Sequence, residues 1–319
     1  MTMKARPKTR ATASAVGAVR PVSEKTLKRH VSGWIILDKP HGMSSTQAVG
    51  KLRWLYNAEK AGHAGTLDPL ATGLLPVALG EATKTVPFVQ GGGKRYRFTL
   101  EWGSATSTDD REGEVVARSD VRPTGEQVRA VLPAFTGTIL QRPPAFSAIK
   151  VAGERAYDLA RAGEAVDLAP RPVTISELTL LSHSSEASDF EMACEKGTYV
   201  RALARDLAEA LGTRGHVAAL RRIAVAGFTE ADALQLDAIA ADDDRDRLLR
   251  PVAVALRHLP ELRVGPDEAA LLRNGNPVLL RGANAPIEIA EAWASLHGQA
   301  VAIGAVRAGH FQPTRVLRP

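Results

Sequence analysis

The stretch 61–79, AGHAGTLDPLATGLLPVAL, constrains the fold more than any other part of the chain. Gly62 and Gly65 allow sharp turns, and Pro69 fixes the backbone φ immediately after Asp68. The apolar run 74–79 reads as a buried strand just past the turn. A short polar loop is therefore anchored beside a core element, and it carries one imidazole, His63, and one carboxylate, Asp68. Asp68 is the first catalytic candidate. Taken alone, an aspartate before proline is better explained as a solvated turn residue or a helix cap.

The 319-residue chain is long enough for one large domain and a smaller companion, and its 45% hydrophobic content suits a real core. No apolar run approaches the roughly 20 residues needed to cross a bilayer, so no membrane association is expected. A single cysteine, Cys194, excludes an internal disulfide and a cysteine-rich zinc site. It alternates with Phe190 and Met192 as a buried strand residue would. The eight histidines show no metal-ligand spacing, so no metal is expected. A formal charge of +6 permits a polyanionic partner. Every lysine lies at or before Lys196, and beyond it Arg alone carries the positive charge. Arginine forks suit phosphate, although compositional bias produces the same pattern.

Residues 1–30 are rich in Lys, Arg, Ser, Thr and Ala and read as a mobile basic arm. The arm overlaps in composition with an organelle transit segment and shows no secretory pattern. A larger domain is expected over 31–250. Its first strand candidate, 34–37, runs into the turn Asp38-Lys39-Pro40-His41-Gly42, and Ser44 or Ser45 caps a helix through Tyr56. Lys39, just past the strand end, reads as a solvated turn residue or as a cation closing a nucleotide site. After Gly91 to Gly93, Tyr96, Phe98, Leu100 and Trp102 share one strand face, with Arg95, Arg97 and Glu101 on the other. Tyr96 reads as core, with the alternative that a ring at the start of a strand stacks on a base.

Residues 103–113 read as a polar loop and 124–135 as a helix. The segment of about 144–171, with a short helical pattern at 157–161, reads either as an excursion closing over a ligand or as a packed surface hairpin. Strand candidates at 173–181 and 190–194 precede a helix over about 200–211, stopped by Gly212. Tyr199 and Arg201 thus sit at a strand-to-helix junction. Arg201 is either a surface helix residue or the partner that holds a buried carboxylate ionised. Over 260–319, a helix at 266–273 and strand-like segments at 277–280, 287–290 and 301–306 form a small β-rich domain. About 60 residues make a marginal core, so docking onto the larger domain is expected.

Five stretches, in this order, resemble the bacterial tRNA pseudouridine synthase family that acts on the T-loop uridine. They are GWIILDKPHGMSS at 33–45, AGHAGTLDPLATGLLPVALGEATK at 61–84, KRYRF at 94–98, KGTYVR at 196–201 and LRRIAV at 220–225. The resemblance covers about 33–236. The tail from 262 is similar, less specifically, to that family's small PUA-like RNA-binding domain. The resemblance implies an α+β chain: a pseudouridine synthase catalytic fold with a mixed, mostly antiparallel central sheet, plus a small β-rich PUA-like domain. It also implies an indispensable catalytic role for Asp68, base stacking and assistance to proton transfer for Tyr96, and pairing with Asp68 for Arg201. Tyr199 would shape the uridine pocket, Leu220 would line it, and His63 would fill the stack vacated by a flipped nucleotide. Lys39 and Pro40 would support the cleft, and 144–171 matches an RNA-contacting insertion. The implied partner is the T arm and loop of tRNA, with no cofactor, no required protein partner and a cytoplasmic location. A monomer is expected because no helix carries a sustained heptad.

Isomerising uridine breaks the N1 glycosidic bond, turns the uracil and joins its C5 to the ribose C1′, with no net redox change or group transfer. The reaction therefore requires neither a metal cluster nor a nucleotide-cofactor loop. An ionised Asp68 either attacks C1′ or removes the ribose 2′ proton, and the sequence does not select between these routes. A stacked uridine must first be extruded, at a cost of about a few kcal/mol. Competing readings are a guide-RNA-dependent synthase and a tRNA-folding chaperone that uses the same cleft. A third, an aspartate-nucleophile hydrolase, lacks a recognisable leaving-group acid.

Overall fold

The computed structural model describes Thr2 and residues 28–318, apart from 148, 152, 157, 158, 160, 161, 165 and 166. The basic arm expected over 1–30 lies outside the described residues except at Thr2 and 28–30. The helical pattern expected at 157–161 lies outside them except at Leu159.

Among the described residues, a ten-stranded sheet carries the larger part of the chain. In spatial order its path runs Leu234–Gln235, Gly33–Lys39, Thr72–Leu79, Gly215–Val225, Lys94–Trp102, Ala187–Cys194, Arg171–His183 and Gly137–Gln141. Ala61–His63 pairs with Thr72–Leu79, and Phe228–Thr229 with Gly215–Val225, off this path. Gly33–Lys39 is parallel to Leu234–Gln235, and Thr72–Leu79 is parallel to Gly215–Val225. The other pairings are antiparallel. The expected mixed, mostly antiparallel α+β architecture is what the chain adopts.

Period-two alternation decides the middle of the sheet. Tyr96, Phe98, Leu100 and Trp102 are buried, and Tyr96 and Phe98 sit opposite Met192 and Phe190. The Phe98 and Phe190 rings stack at 5.1 Å. Helix Val200–Ala210 contributes Leu203, Leu207 and Ala208 to the same core cluster. On the other face, Arg95 and Arg97 both reach Glu191, at 3.0 and 2.8 Å. Gly33–Lys39 and Thr72–Leu79 behave differently, because they are apolar on both faces. Ile35, Leu37, Leu75 and Val77 join the main core, whereas Trp34, Ile36, Leu74 and Ala78 join a second cluster. Burial on both sides explains why these strands read as unbroken apolar runs.

Helix Ser45–Leu55 starts at a reciprocal cap between Ser44 and Gln47. The segment 103–113, expected as loop, contains the strand Ser104–Thr106, which pairs with Val115–Arg118. The helix expected over 124–135 is capped by Thr124 but spans Gly125–Val131, and continues as a 3-10 turn at Leu132–Phe135. Pro133, which has no N–H to donate, sits in the first positions of that turn.

The tail builds a separate five-stranded sheet in the order Glu261–Arg263, Ile289–Leu296, Gln299–Arg307, His310–Val316 and Val278–Leu279. Helix Pro266–Arg273 closes its core through Ala269 and Leu272. The tail sheet packs against the 3-10 turn Gly80–Thr85, the helix Val86–Gly91 and the turn Val252–Leu256. Leu256, Trp293, Ile303 and Leu317 form a cluster that takes in Phe88. Lys84 Nζ donates to the Val316 carbonyl at 2.8 Å, and Arg315 Nη1 donates to the Lys84 carbonyl at 2.7 Å. Among the described residues no helix is long and apolar enough to cross a membrane.

Candidate active site

Asp68 lies in the loop between the antiparallel strands Ala61–His63 and Thr72–Leu79, and the backbone on either side of it is clamped. Before it, Leu67 donates its N–H to Ser45 Oγ and accepts from that hydroxyl at its carbonyl, both at 2.8 Å. After it, the Pro69 carbonyl accepts from Gly42 N–H at 2.8 Å and from Lys39 Nζ at 3.3 Å. Lys39 Nζ also donates to the carbonyls of Pro40, at 2.9 Å, and Met43, at 2.6 Å. Lys39 is thus neither solvated nor past the strand. It is the last residue of Gly33–Lys39, is fully buried, and ties the turn holding the exposed Pro40 to the Asp68 loop. Burial pushes its ammonium down to about 8, with Asp68 pulling the other way.

The Asp68 carboxylate is 35% exposed, and the side chain it meets is 6% exposed. Arg201 Nε lies 2.9 Å from Asp68 Oδ2 and 3.6 Å from Oδ2 of Asp110, which is itself 4% exposed. The remaining arginine edge is occupied by carbonyls, Nη1 on Thr108 at 2.9 Å and Nη2 on Phe146 at 3.0 Å. Arg201 is therefore the buried partner and not a surface helix residue. It is the second residue of Val200–Ala210, two positions after Tyr199 at the N-cap. Gln141 holds that junction from both sides, its Oε1 accepting from Tyr199 N–H at 2.9 Å and its Nε2 donating to the Tyr199 carbonyl at 3.1 Å. The Arg171 guanidinium lies 5.4 Å from the Tyr199 ring centre.

Tyr96 is buried beside Arg222 on the neighbouring strand. Burial raises its hydroxyl above the usual phenol range, against the opposing charge and hydrogen bond of Arg222. Arg222 is fully buried, with Nε donating to the Leu74 carbonyl at 2.6 Å and Nη2 to the Gly65 carbonyl at 3.0 Å. It joins the start of the Asp68 loop to the strand beyond it. His63 is half-buried, and burial followed by Arg222 lowers its imidazole. Its Nδ1 has no hydrogen-bond partner among the described residues. Leu220 pairs with Phe98 and lines a groove of about 550 Å³ with His41, Leu70, Thr72 and Arg221. The groove reaches Leu70, two residues past Asp68, but Asp68 itself does not line it.

The structure brings Asp68, Arg201 and, through Arg222, Tyr96 and His63 into one neighbourhood, with Lys39 beneath the loop. A half-exposed carboxylate on a rigid backbone, facing one side of a buried guanidinium, suits nucleophilic or general-base chemistry. Among the described residues no group of three or more His, Cys, Asp or Glu side chains is arranged to hold a metal ion.

Comparison with known proteins fits this geometry. The model of the TruB family pseudouridylate synthase N-terminal domain matches residues 53–200, and that of the tRNA pseudouridylate synthase B C-terminal domain matches 201–257. The tRNA pseudouridine synthase B of Mesorhizobium japonicum is 51% identical over 314 residues, covering 91% of this chain and 97% of its own length. That of Rhizobium etli is 54% identical over 300 residues, with 91% and 97% covered. The chain belongs to the TruB family. A chain in the crystal structure of a Cbf5-Nop10-Gar1 complex superposes with a TM-score of 0.70 at 25% identity, over 90% of this chain and 85% of that one.

Within this TruB family member, four polar residues that hold the site were not singled out from the sequence: Ser45 as a loop clamp, Asp110, Gln141 and Arg222. Ser45 reads from the sequence only as a helix cap, Asp110 as part of a polar loop, and Arg222 as one of two arginines in the family-like stretch LRRIAV. A buried charge has no local signature, because the groups covering it come from elsewhere in the chain. One hint was available for Arg222: in an otherwise apolar strand, one of two adjacent arginines must point inward.

Proposed function

We infer that the chain isomerises uridine in tRNA to pseudouridine, and we propose the T-loop uridine as its target. The observation that carries the reading is the Asp68–Arg201 pair at 2.9 Å, a half-exposed carboxylate on a buried guanidinium, in a chain of TruB family sequence. Asp68 supplies the carboxylate that either bonds to C1′ as N1 departs or accepts the ribose 2′ proton. Arg201 keeps that carboxylate oriented. Tyr96, 7% exposed, confines the detached uracil by stacking when the pocket opens around it, and assists loss of the C5 proton. Tyr199 and Leu220 bound the pocket, His63 takes the place of the extruded nucleotide, and Lys39 and Pro40 hold the loop from below. The segment of about 144–171 contacts the RNA.

The groove between the tail sheet and the 80–87 segment supports an RNA partner, since Lys60, Lys84, Arg273, Arg315 and Arg318 line it against the single acid Glu81. The domain division we propose is an arm over 1–30, a catalytic domain over 31–250 and a PUA-like domain over 260–319. The chain acts as a monomer in the cytoplasm without a protein partner.

The test is incubation of the purified chain with unmodified tRNA transcript alone, mapping pseudouridine at single-nucleotide resolution beside Asp68→Asn. Conversion of one T-loop uridine, lost in the variant while tRNA binding persists, is the expected result. Binding without conversion by the parent chain overturns the stand-alone reading. A guide-RNA-dependent enzyme then becomes the better account.

A further inference from the structure

Arg201 and Arg205 stand one turn apart on Val200–Ala210, so their side chains leave the same face of the helix. Each of them spans the same two segments. Arg201 reaches the carbonyls of Thr108 and Phe146, at 2.9 and 3.0 Å. Arg205 reaches the Asp109 carboxylate with Nη1 at 2.9 Å and the Arg142 carbonyl with Nη2 at 2.8 Å. Consecutive residues of one segment, and residues four apart in the other, are thereby crossed by two parallel arginines. Of the two, Arg201 is the one that meets Asp68.

The loop end of this arrangement is held under constraint. Asp109 has φ +59, a left-handed conformation uncommon for a residue with a Cβ. Its carbonyl accepts from Val217 N–H at 3.0 Å, while its carboxylate takes the Arg205 guanidinium. Arg205 and Asp109 are 21% and 15% exposed, so water screens this pair weakly.

A guanidinium is planar and rigid, so the direction of its Nε is set by where the acceptors of its two Nη atoms lie. The acceptors of Arg201 belong to the two segments that Arg205 holds. We propose that Arg205, with Asp109, is a positioning residue for the isomerisation. It fixes the 107–113 loop and the 142–146 segment so that Arg201 presents its Nε to Asp68. This inference rests on the isomerase reading above. It ties the start of the proposed RNA-contacting segment to the aim of the catalytic carboxylate.

The test uses the full chain with unmodified tRNA transcript, in Arg205→Met, Arg205→Lys and Asp109→Asn. Single-turnover conversion at saturating enzyme, tRNA affinity, and amide hydrogen exchange over 107–113 are measured. Arg205→Met and Asp109→Asn are expected to lower the rate about 10- to 100-fold, as misplacement of a reacting group does, while tRNA affinity changes less than about twofold. Arg205→Lys, which keeps a donor for the Asp109 carboxylate, retains part of the rate. Exchange over 107–113 rises in Arg205→Met. An active parent with an equally active Arg205→Met overturns this inference alone, and so does a loss of rate matched by an equal loss of tRNA affinity. An inactive parent overturns the isomerase reading instead. In that case unchanged exchange in Arg205→Met overturns the positional link, and raised exchange upholds it without the chemistry.

Discussion

Arg201 presents its Nε to Asp68 at 2.9 Å while both of its Nη atoms are committed to backbone carbonyls. A side chain with four fixed partners, Asp110 at 3.6 Å being the fourth, cannot be replaced by a point charge. Arg201→Lys is expected to keep a cation near Asp68 but to lose the planar fork that reaches the Thr108 and Phe146 carbonyls, leaving the carboxylate free to rotate. Single-turnover conversion should fall by about 100-fold or more, because the orientation of the reacting carboxylate is lost. Conversion within a few-fold of the parent would show that charge alone suffices.

Gly73 lies opposite Arg222 in the parallel pairing of Thr72–Leu79 with Gly215–Val225, at φ +94. A Cβ there would stand 2.2 Å from the Arg222 carbonyl oxygen, a backbone atom that cannot turn aside. Gly73→Ala is expected to cost about 2–3 kcal/mol, from the strained backbone conformation and the forced separation of the strands. It should also displace Arg222 from Gly65 and Leu74. Urea unfolding with an unchanged midpoint would refute the close approach.

Lys94 donates from Nζ to the carbonyls of Gln90, at 3.0 Å, and Gly92, at 2.8 Å, and burial together with Arg222 pushes its ammonium down to about 8. Below that pH the folded and unfolded chains both hold the proton. Above it the folded chain releases a proton that the unfolded chain retains up to its ordinary value of 10.5, so stability rises with pH. Lys39 acts in the same direction. Cys194, pushed up to about 11 by burial from 9.0, opposes them only above its unfolded value. The window is therefore pH 8 to 9. The unfolding free energy of the parent is expected to gain more across this window than that of Lys94→Met. Equal gains in the two proteins would remove Lys94 as a source.

The groove of about 1080 Å³ between the tail and the 80–87 segment is tested through salt. Lys84 is spent on Glu81 at 2.7 Å, and Arg315 lies 5.9 Å from the Phe88 ring centre. Lys60 and Arg273 are therefore the informative positions. Lys60→Ala and Arg273→Ala should each weaken tRNA binding and flatten the slope of log affinity against log salt by about 0.9 for each phosphate no longer neutralised. Conversion at saturating enzyme should stay at the parent rate. An unchanged slope in both variants would show that tRNA does not enter the groove.

Features written in neighbouring residues were legible in the sequence. The alternation of Tyr96, Phe98, Leu100 and Trp102, the Ser44 cap and the Gly212 stop each depend on residues within a turn or two of themselves. The Asp68 loop, bounded by glycine and proline, was visible for the same reason, and the family-like stretches named its partner, Arg201. Reading Lys39 as a turn residue failed because the sequence shows that a chain turns, not which groups pack over the turn. Ser45 and Asp110 escaped for the same cause, since Leu67 and Arg201, which they meet, are 22 and 91 positions away in the chain.

The arginine pair at 221 and 222 shows where the division falls. Adjacent residues of a strand face opposite ways, so the order of residues was enough to require that one arginine points in and one out. Only the register of Gly215–Val225 against Lys94–Trp102 decided which. It sets Arg222 opposite Tyr96 on the inward face and Arg221 opposite Arg97. There Arg222 is fully buried beneath Gly65 and Leu74, while Arg221 pairs with Asp38 at 2.9 Å on the other side. A shift of one residue would exchange them. Register is a property of paired strands and of the core they enclose, so the tertiary structure alone could settle it.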